Sequence, residues 1–179
     1  MAFLRLLLRL GMGAVMLALL VARPAAAAAD DRAIPAVIPA CHAATGAAAG
    51  VAEMRSRAAW TCDNSEWRAN VPAVWLRFEA SNWPAERLPR WFFSRTARFA
   101  SITFYAVDAD GAIRSRRLTE ADGTPFADGP VFQLPLPAIT AETTLLLARI
   151  ERPHSIPLVT EARITHDPGT AEWSRIDMM

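Results

Sequence analysis

Residues 67–111 read WRANVPAVWLRFEASNWPAERLPRWFFSRTARFASITFYAVDADG, and this stretch decides the fold. Three short apolar runs alternate there with polar residues, each bounded by Pro, Asn, Asp or Gly, as half-buried strands joined by turns do. In residues 73–80, Val74, Leu76 and Phe78 fall on one face and Trp75, Arg77 and Glu79 on the other, because successive strand side chains point to opposite sides. Residues 90–96 and 99–107 continue the pattern, with Ile102, Phe104 and Ala106 opposing Ser101, Thr103 and Tyr105. Asp108-Ala109-Asp110-Gly111 reads as a hairpin turn, in which Gly111 can take a positive φ. The stretch holds no nucleophile, metal cluster or phosphate loop, so it argues for a binding sandwich rather than an enzyme.

Working toward the carboxyl end, residues 112–118 form a polar strand suited to an edge, and 120–129 a loop with two Asp-Gly turns. Residues 130–136 are a short strand whose prolines suit an edge or a strand end. The last two strands are expected at 143–151 and 156–165, followed by a tail at 167–179 in which Trp173 could dock back. Toward the amino end, 43–60 is Ala-rich and permits a helix, weakened in its first half by Gly46 and Gly50. About seven or eight short strands with frequent turns indicate an all-β, jelly-roll-like antiparallel sandwich over 67–166. Residues 30–66 then form an extended lead-in and a short helical appendage.

The first 29 residues read as an export signal. Arg5 and Arg9 make a positive start, 10–22 is uninterruptedly apolar, Arg23-Pro24 breaks the helix, and Ala25 to Ala29 offer small residues for cleavage. The apolar segment is shorter than the roughly 20 residues that cross a bilayer. Export places Cys41 and Cys62, the only two cysteines, in an oxidising compartment, where a disulfide is the default. Half of a c-type haem motif (Cys41-His42) and an incomplete zinc set (Cys41, His42, Cys62) are the weaker alternatives.

All 19 cationic residues are arginine against 18 acids, for a net charge of +1. Cleavage after Ala29 would remove three arginines and leave −2. Such a balance gives no electrostatic case for nucleic acid or an anionic membrane surface. The absence of lysine excludes Schiff-base chemistry on this chain.

With the strands placed, the order of motifs is Trp67, W-L-R-F at 75–78, W-F-F at 91–93, I-T-F-Y followed by D-A-D-G, L-L-A-R-I-E-R at 146–152 and S-I-P-L at 155–158. This order resembles the periplasmic jelly-roll sensor domain of bacterial receptors with seven transmembrane helices and diverse intracellular signalling modules, often GGDEF diguanylate cyclases. The resemblance covers residues 67–165. It implies a carbohydrate-module-like sandwich that senses an extracellular ligand. Family members continue into membrane helices and an output module, whereas this chain stops at Met179, so a truncated receptor is expected.

The ligand surface expected from the strand faces is Trp75, Arg77, Thr103, Tyr105 and, by register, Arg149. Aromatic faces stack on sugar rings, and guanidinium forks grip carboxylates or hydroxyls. The competing reading packs Trp75 and Tyr105 beneath a loop. Trp83, in Asn82-Trp83-Pro84, is either an exposed binding aromatic or a plug at the end of the core. Trp91 and Phe93 read as core. Asp108, Asp110, Asp122 and Asp128 are better accounted for as turn residues than as calcium ligands, since no EF-hand spacing is present. His154 and Ser155 are adjacent, so on a strand they would point apart and form no nucleophile–base pair. Glu79 and Glu151 could make a carboxylate pair for glycoside hydrolysis, but nothing in the sequence places them at the required separation. No cofactor and no metal are expected. The expected partners are a small-molecule or glycan ligand and the membrane portion of a receptor, with homodimerisation left open. A stand-alone secreted carbohydrate-binding module and a small sandwich hydrolase are the alternative functions.

Overall fold

The computed structural model describes residues 41–63, 70–83, 87–95, 98–125, 131–154 and 156–166. The expected export signal (1–29), the lead-in (30–40), Trp67, Pro84, Asp128, Ser155 and the tail (167–179) lie outside the described residues.

Two antiparallel sheets carry the fold. The first contains β1 (Cys41–Thr45), β2 (Ala73–Glu79), β4 (Ser101–Asp108), β5 (Ile113–Leu118) and β8 (Thr143–Glu151), in the order β1-β2-β8-β4-β5. The second contains β3 (Trp91–Arg95), β6 (Thr124–Pro125), β7 (Val131–Pro135) and β9 (Arg163–Thr165), in the order β6-β7-β3-β9. The chain crosses between the sheets after β2, β3, β5, β7 and β8, as sandwiches with crossed connections do. The fold is therefore the expected all-β sandwich.

Alternation along the strands explains how the layers meet. Val74, Leu76, Phe78, Ile102 and Phe104, the face expected to be core, join Leu146, Ala148 and Ile150 between the sheets, together with Phe92, Leu134 and Ile164 of the second sheet. Phe92 packs on Phe104 with ring centroids 5.1 Å apart. The pairing of β3 thus turns Phe92 inward beside Leu134 and Ile164, and not the expected Trp91, which is half-buried. Phe93 is fully buried but lies on the opposite face of β3. Gly111 closes the β4–β5 turn at φ 91°, the backbone region in which glycine has no Cβ penalty. β5 lies at a sheet edge and is mostly exposed.

Three elements differ from expectation. Residues 43–45 belong to β1, which adds to the sheet beside β2, and α1 is confined to Val51–Ser56, beginning directly after Gly50. Small Ala side chains are compatible with either state, and pairing against β2 settles the matter. Residues 156–160 form helix α2 (Ile156–Thr160) instead of a strand, which then resumes as β9. Pro157 stands in the first turn of α2, where its missing N–H costs nothing, and Ile156 and Val159 bury on one side of the helix. The loop after β5 holds a capped turn at Glu120–Asp122 and the short strand β6, which covers β7; Pro135 sits at the end of β7, as expected.

Candidate functional site

Cross-strand register gathers the expected surface residues on the outer face of the five-stranded sheet. Trp75, Arg149 and Thr103 lie side by side across β2, β8 and β4, and Arg77, Leu147 and Tyr105 form the next row. The face is not open to solvent, however. The segment from β1 through α1 to Cys62 folds back over it as a strap, and Met54, Ala43, Leu147 and Trp75 form a second apolar cluster, with Val51, Trp60 and Tyr105 at its margin. Trp75 and Met54 are fully buried. Trp75 stacks on Tyr105 at 5.6 Å, with an interplanar angle of 21°.

A helix of six residues cannot hold itself together in water. Its anchors are Met54, the Cys41–Cys62 disulfide, whose ends are 21 positions apart in sequence, and a two-bond bridge between His42 and Thr61. The Arg77 guanidinium lies 5.6 Å from the centre of the Trp60 ring and pairs with Glu79. The expected ligand face is thus largely a packing face, and the indole that would stack on a sugar lies beneath the strap. Trp83 is half-buried, packed against the main core, with its backbone N–H bonded to the Ala80 carbonyl at 3.0 Å.

Arg149 joins this second core to an open groove. One Nη donates to Glu151 at 2.7 Å, the other to the Ala47 carbonyl in the strap at 2.5 Å, and the guanidinium stands 6.0 Å from the Trp75 ring centre. The groove, about 790 Å3, opens at the end of the sandwich where β8 leaves the sheet. That volume lies within the usual range for small-molecule sites. Phe99, Val71, Pro72 and Pro153 supply its apolar lining; Arg98, Arg149, Glu151, Arg152 and His154 supply the polar groups.

Three backbone bonds hold the groove walls together. Ala100 N–H donates to the Glu151 carbonyl (2.8 Å), Arg152 N–H to the Pro72 carbonyl (2.9 Å) and His154 N–H to the Arg98 carbonyl (2.9 Å). Two non-glycine residues have positive φ among the described residues, Asn70 at 56° and Arg152 at 48°, and both line this groove. An arginine in that region costs about 1–2 kcal/mol, a strain that concentrates at functional positions.

Glu151 is the groove's carboxylate, and both of its oxygens are engaged. Oε1 accepts from Arg149; Oε2 accepts from Ser101 Oγ at 2.8 Å and from Arg117 at 3.2 Å. The Ser101 hydroxyl, followed by the charges of Arg149 and Arg117, holds the carboxyl below its ordinary range against the opposing effect of burial. Arg98 and Arg152 are exposed and make no ion pair with another described residue.

Other chemistries find less support. Glu79 and Glu151 share a face but lie six residues apart along the β2–β8 ladder. At about 3.3 Å per residue that is about 20 Å, well beyond the roughly 5–10 Å of a glycosidase pair. Asp108 is held by Arg114 and Thr143, Asp110 accepts from the Ala112 N–H, and Asp122 caps Thr119; no group of three metal-ligating side chains exists among the described residues. The groove was not singled out in the sequence. Its only signals there are basic residues beside strand ends, Arg98 and the Arg152-Pro153-His154 triplet.

The model of the 7TMR-DISM extracellular 2 family matches residues 45–161. The chain belongs to this family. The match begins at the last residue of β1 and closes just after α2, so it takes in α1, Cys62, β2 to β8 and every residue of the groove, while Cys41 and β9 lie outside it. Membership makes this a periplasmic sensing domain of seven-transmembrane receptors, a setting with which the Cys41–Cys62 disulfide is consistent. No curated protein matches the chain. Among the described residues no helix is long and apolar enough to cross a membrane.

Proposed function

We propose that this 7TMR-DISM extracellular 2 domain binds a small molecule in the groove at the end of β8 and reports its presence to the membrane portion of a signalling receptor. It does so without catalysing a reaction. The observation that carries this reading is the convergence, in one concave site, of a polar cluster, an apolar wall and both positive-φ non-glycine residues of the described chain. The membrane helices and output module, a diguanylate cyclase in the expected case, would be the partners on which ligand binding acts. The carbohydrate-module reading is the weaker one, because it relied on Trp75 as an open stacking platform and Trp75 is covered by Met54.

A thermal-shift screen of the exported protein against small polar metabolites and glycans tests the proposal. Ala100 lines the groove at the foot of β4, so Ala100→Trp places a bulky side chain in it. A ligand that raises the melting temperature of the parent and not of a folded Ala100→Trp variant supports the groove. Unchanged affinity in that variant sinks it.

A further inference from the structure

We infer that the groove selects anions, and specifically small molecules that present a carboxylate next to a short apolar body. This rests on the groove being the ligand site, and it goes further by naming the ligand's chemistry.

The charge distribution is the first argument. Three arginines line the groove, Arg98, Arg149 and Arg152, against a single carboxylate, Glu151. That carboxylate cannot neutralise all of them, since Arg149, Arg117 and Ser101 already occupy its two oxygens. Arg98 and Arg152 therefore keep their guanidinium donors for something that is not part of the described chain. A planar fork of N–H donors matches a carboxylate in two-pronged fashion, and the low-dielectric wall of Phe99, Val71 and Pro153 strengthens that attraction. Phe99 is only 8% exposed and packs on Phe132, so it offers a rigid edge rather than an open ring.

The second argument concerns what the groove lacks. Neutral sugars are held largely by exposed aromatic faces, and none of the described aromatic residues at the groove presents one: Phe99 is buried and Trp75 lies under the strap. Backbone conformation is the third. Arg152 sits at φ 48°, a region that Asn or Gly occupies at lower cost. The backbone there gains nothing from arginine, which leaves the guanidinium as what this residue contributes to the groove.

The test uses the exported chain, with acetate, succinate and benzoate as sodium salts, the matching uncharged amides, and a panel of neutral glycans, at constant ionic strength by titration calorimetry. Carboxylates are expected to bind, the amides about tenfold more weakly or worse, as the loss of a charge-assisted hydrogen bond implies. Affinity should fall as salt is raised. Arg98→Gln and Arg152→Gln should each weaken carboxylate binding by about tenfold.

Arg152→Asn separates recognition from structure. It should weaken the carboxylate while leaving the melting midpoint equal or higher, because Asn tolerates positive φ. A fall in midpoint with unchanged carboxylate affinity would mean that Arg152 is structural, and would overturn the inference. Equal binding of acids and amides, or neutral glycans held in the groove and indifferent to both arginine variants, overturns the anion inference and leaves the groove standing. If no probe's binding responds to Ala100→Trp, the groove reading and the inference fall together.

Discussion

The central strands of the five-stranded sheet are covered on both faces, but by different means. Its inner face meets a second sheet, and the layer between them is continuous and almost wholly apolar, with Phe78, Phe92, Phe104 and Leu146 all fully buried. Its outer face meets a six-residue helix, and the cluster there is small: Trp75, Leu147, Met54 and Ala43. In that second core the Trp75 Nε1 and Arg149 Nε are buried without an acceptor among the described residues. A covalent clip secures the cover. The contrast shows that strand alternation builds a core when a partner sheet faces it, whereas the outer core depends on a strap tied down at its ends.

The largest effect that would probe this contrast is Phe104→Ala. The side chain is fully buried and faces Phe92, so a loss of about 3–5 kcal/mol is expected, read as a lower urea midpoint with an unchanged slope. A loss below about 1 kcal/mol would mean that the layer between the sheets is not the principal source of stability.

Removing the clip with Cys41→Ser and Cys62→Ser comes next. Releasing a loop of 21 residues should lower stability by about 3 kcal/mol. Hydrogen exchange sharpens the comparison: amides of Val51–Ser56 should lose protection while those of β4 and β8 keep theirs. If all three regions lost protection together, the strap and the sandwich would be one cooperative unit.

The smallest effect concerns pH. The Glu151 carboxyl titrates below its unfolded value, chiefly because of the Ser101 hydroxyl and then the charges of Arg149 and Arg117. Its contribution is therefore complete above about pH 4.5 and disappears as pH falls through the lowered folded value. Wild type should lose more stability than Glu151→Gln on acidification through that window, by denaturation midpoint. Parallel curves would show that the network at the groove adds nothing to folding.

The strands with long, clean alternation were legible in the sequence: β8 at 143–151 has the expected bounds, and β2 and β4 fall within a residue or two of theirs. The misreadings share a cause. β1 and α2 have five residues each, too few for periodicity to distinguish helix from strand, so tertiary pairing decides their state. The grouping of Trp75, Arg77, Thr103, Tyr105 and Arg149 on one face was also legible, since register preserves faces. Their covering was not, because it depends on contacts such as Arg149 to Ala47, 102 residues apart in the chain. The groove was hidden for the same reason: residues 70–72, 98–100 and 149–154 are brought together by backbone bonds and packing between distant segments.

Local chemistry, which the sequence alone determines, set which side chains share a strand face, where Gly111 turns the chain, and which two cysteines were available to pair. Alternation and turn conformation are properties of neighbouring residues, so they can be read one segment at a time. Only the tertiary structure decided which face meets a sheet, which lies under the strap, and where arginines from separate segments converge. Those outcomes depend on long-range packing, and no local pattern of residues encodes what will be laid across it.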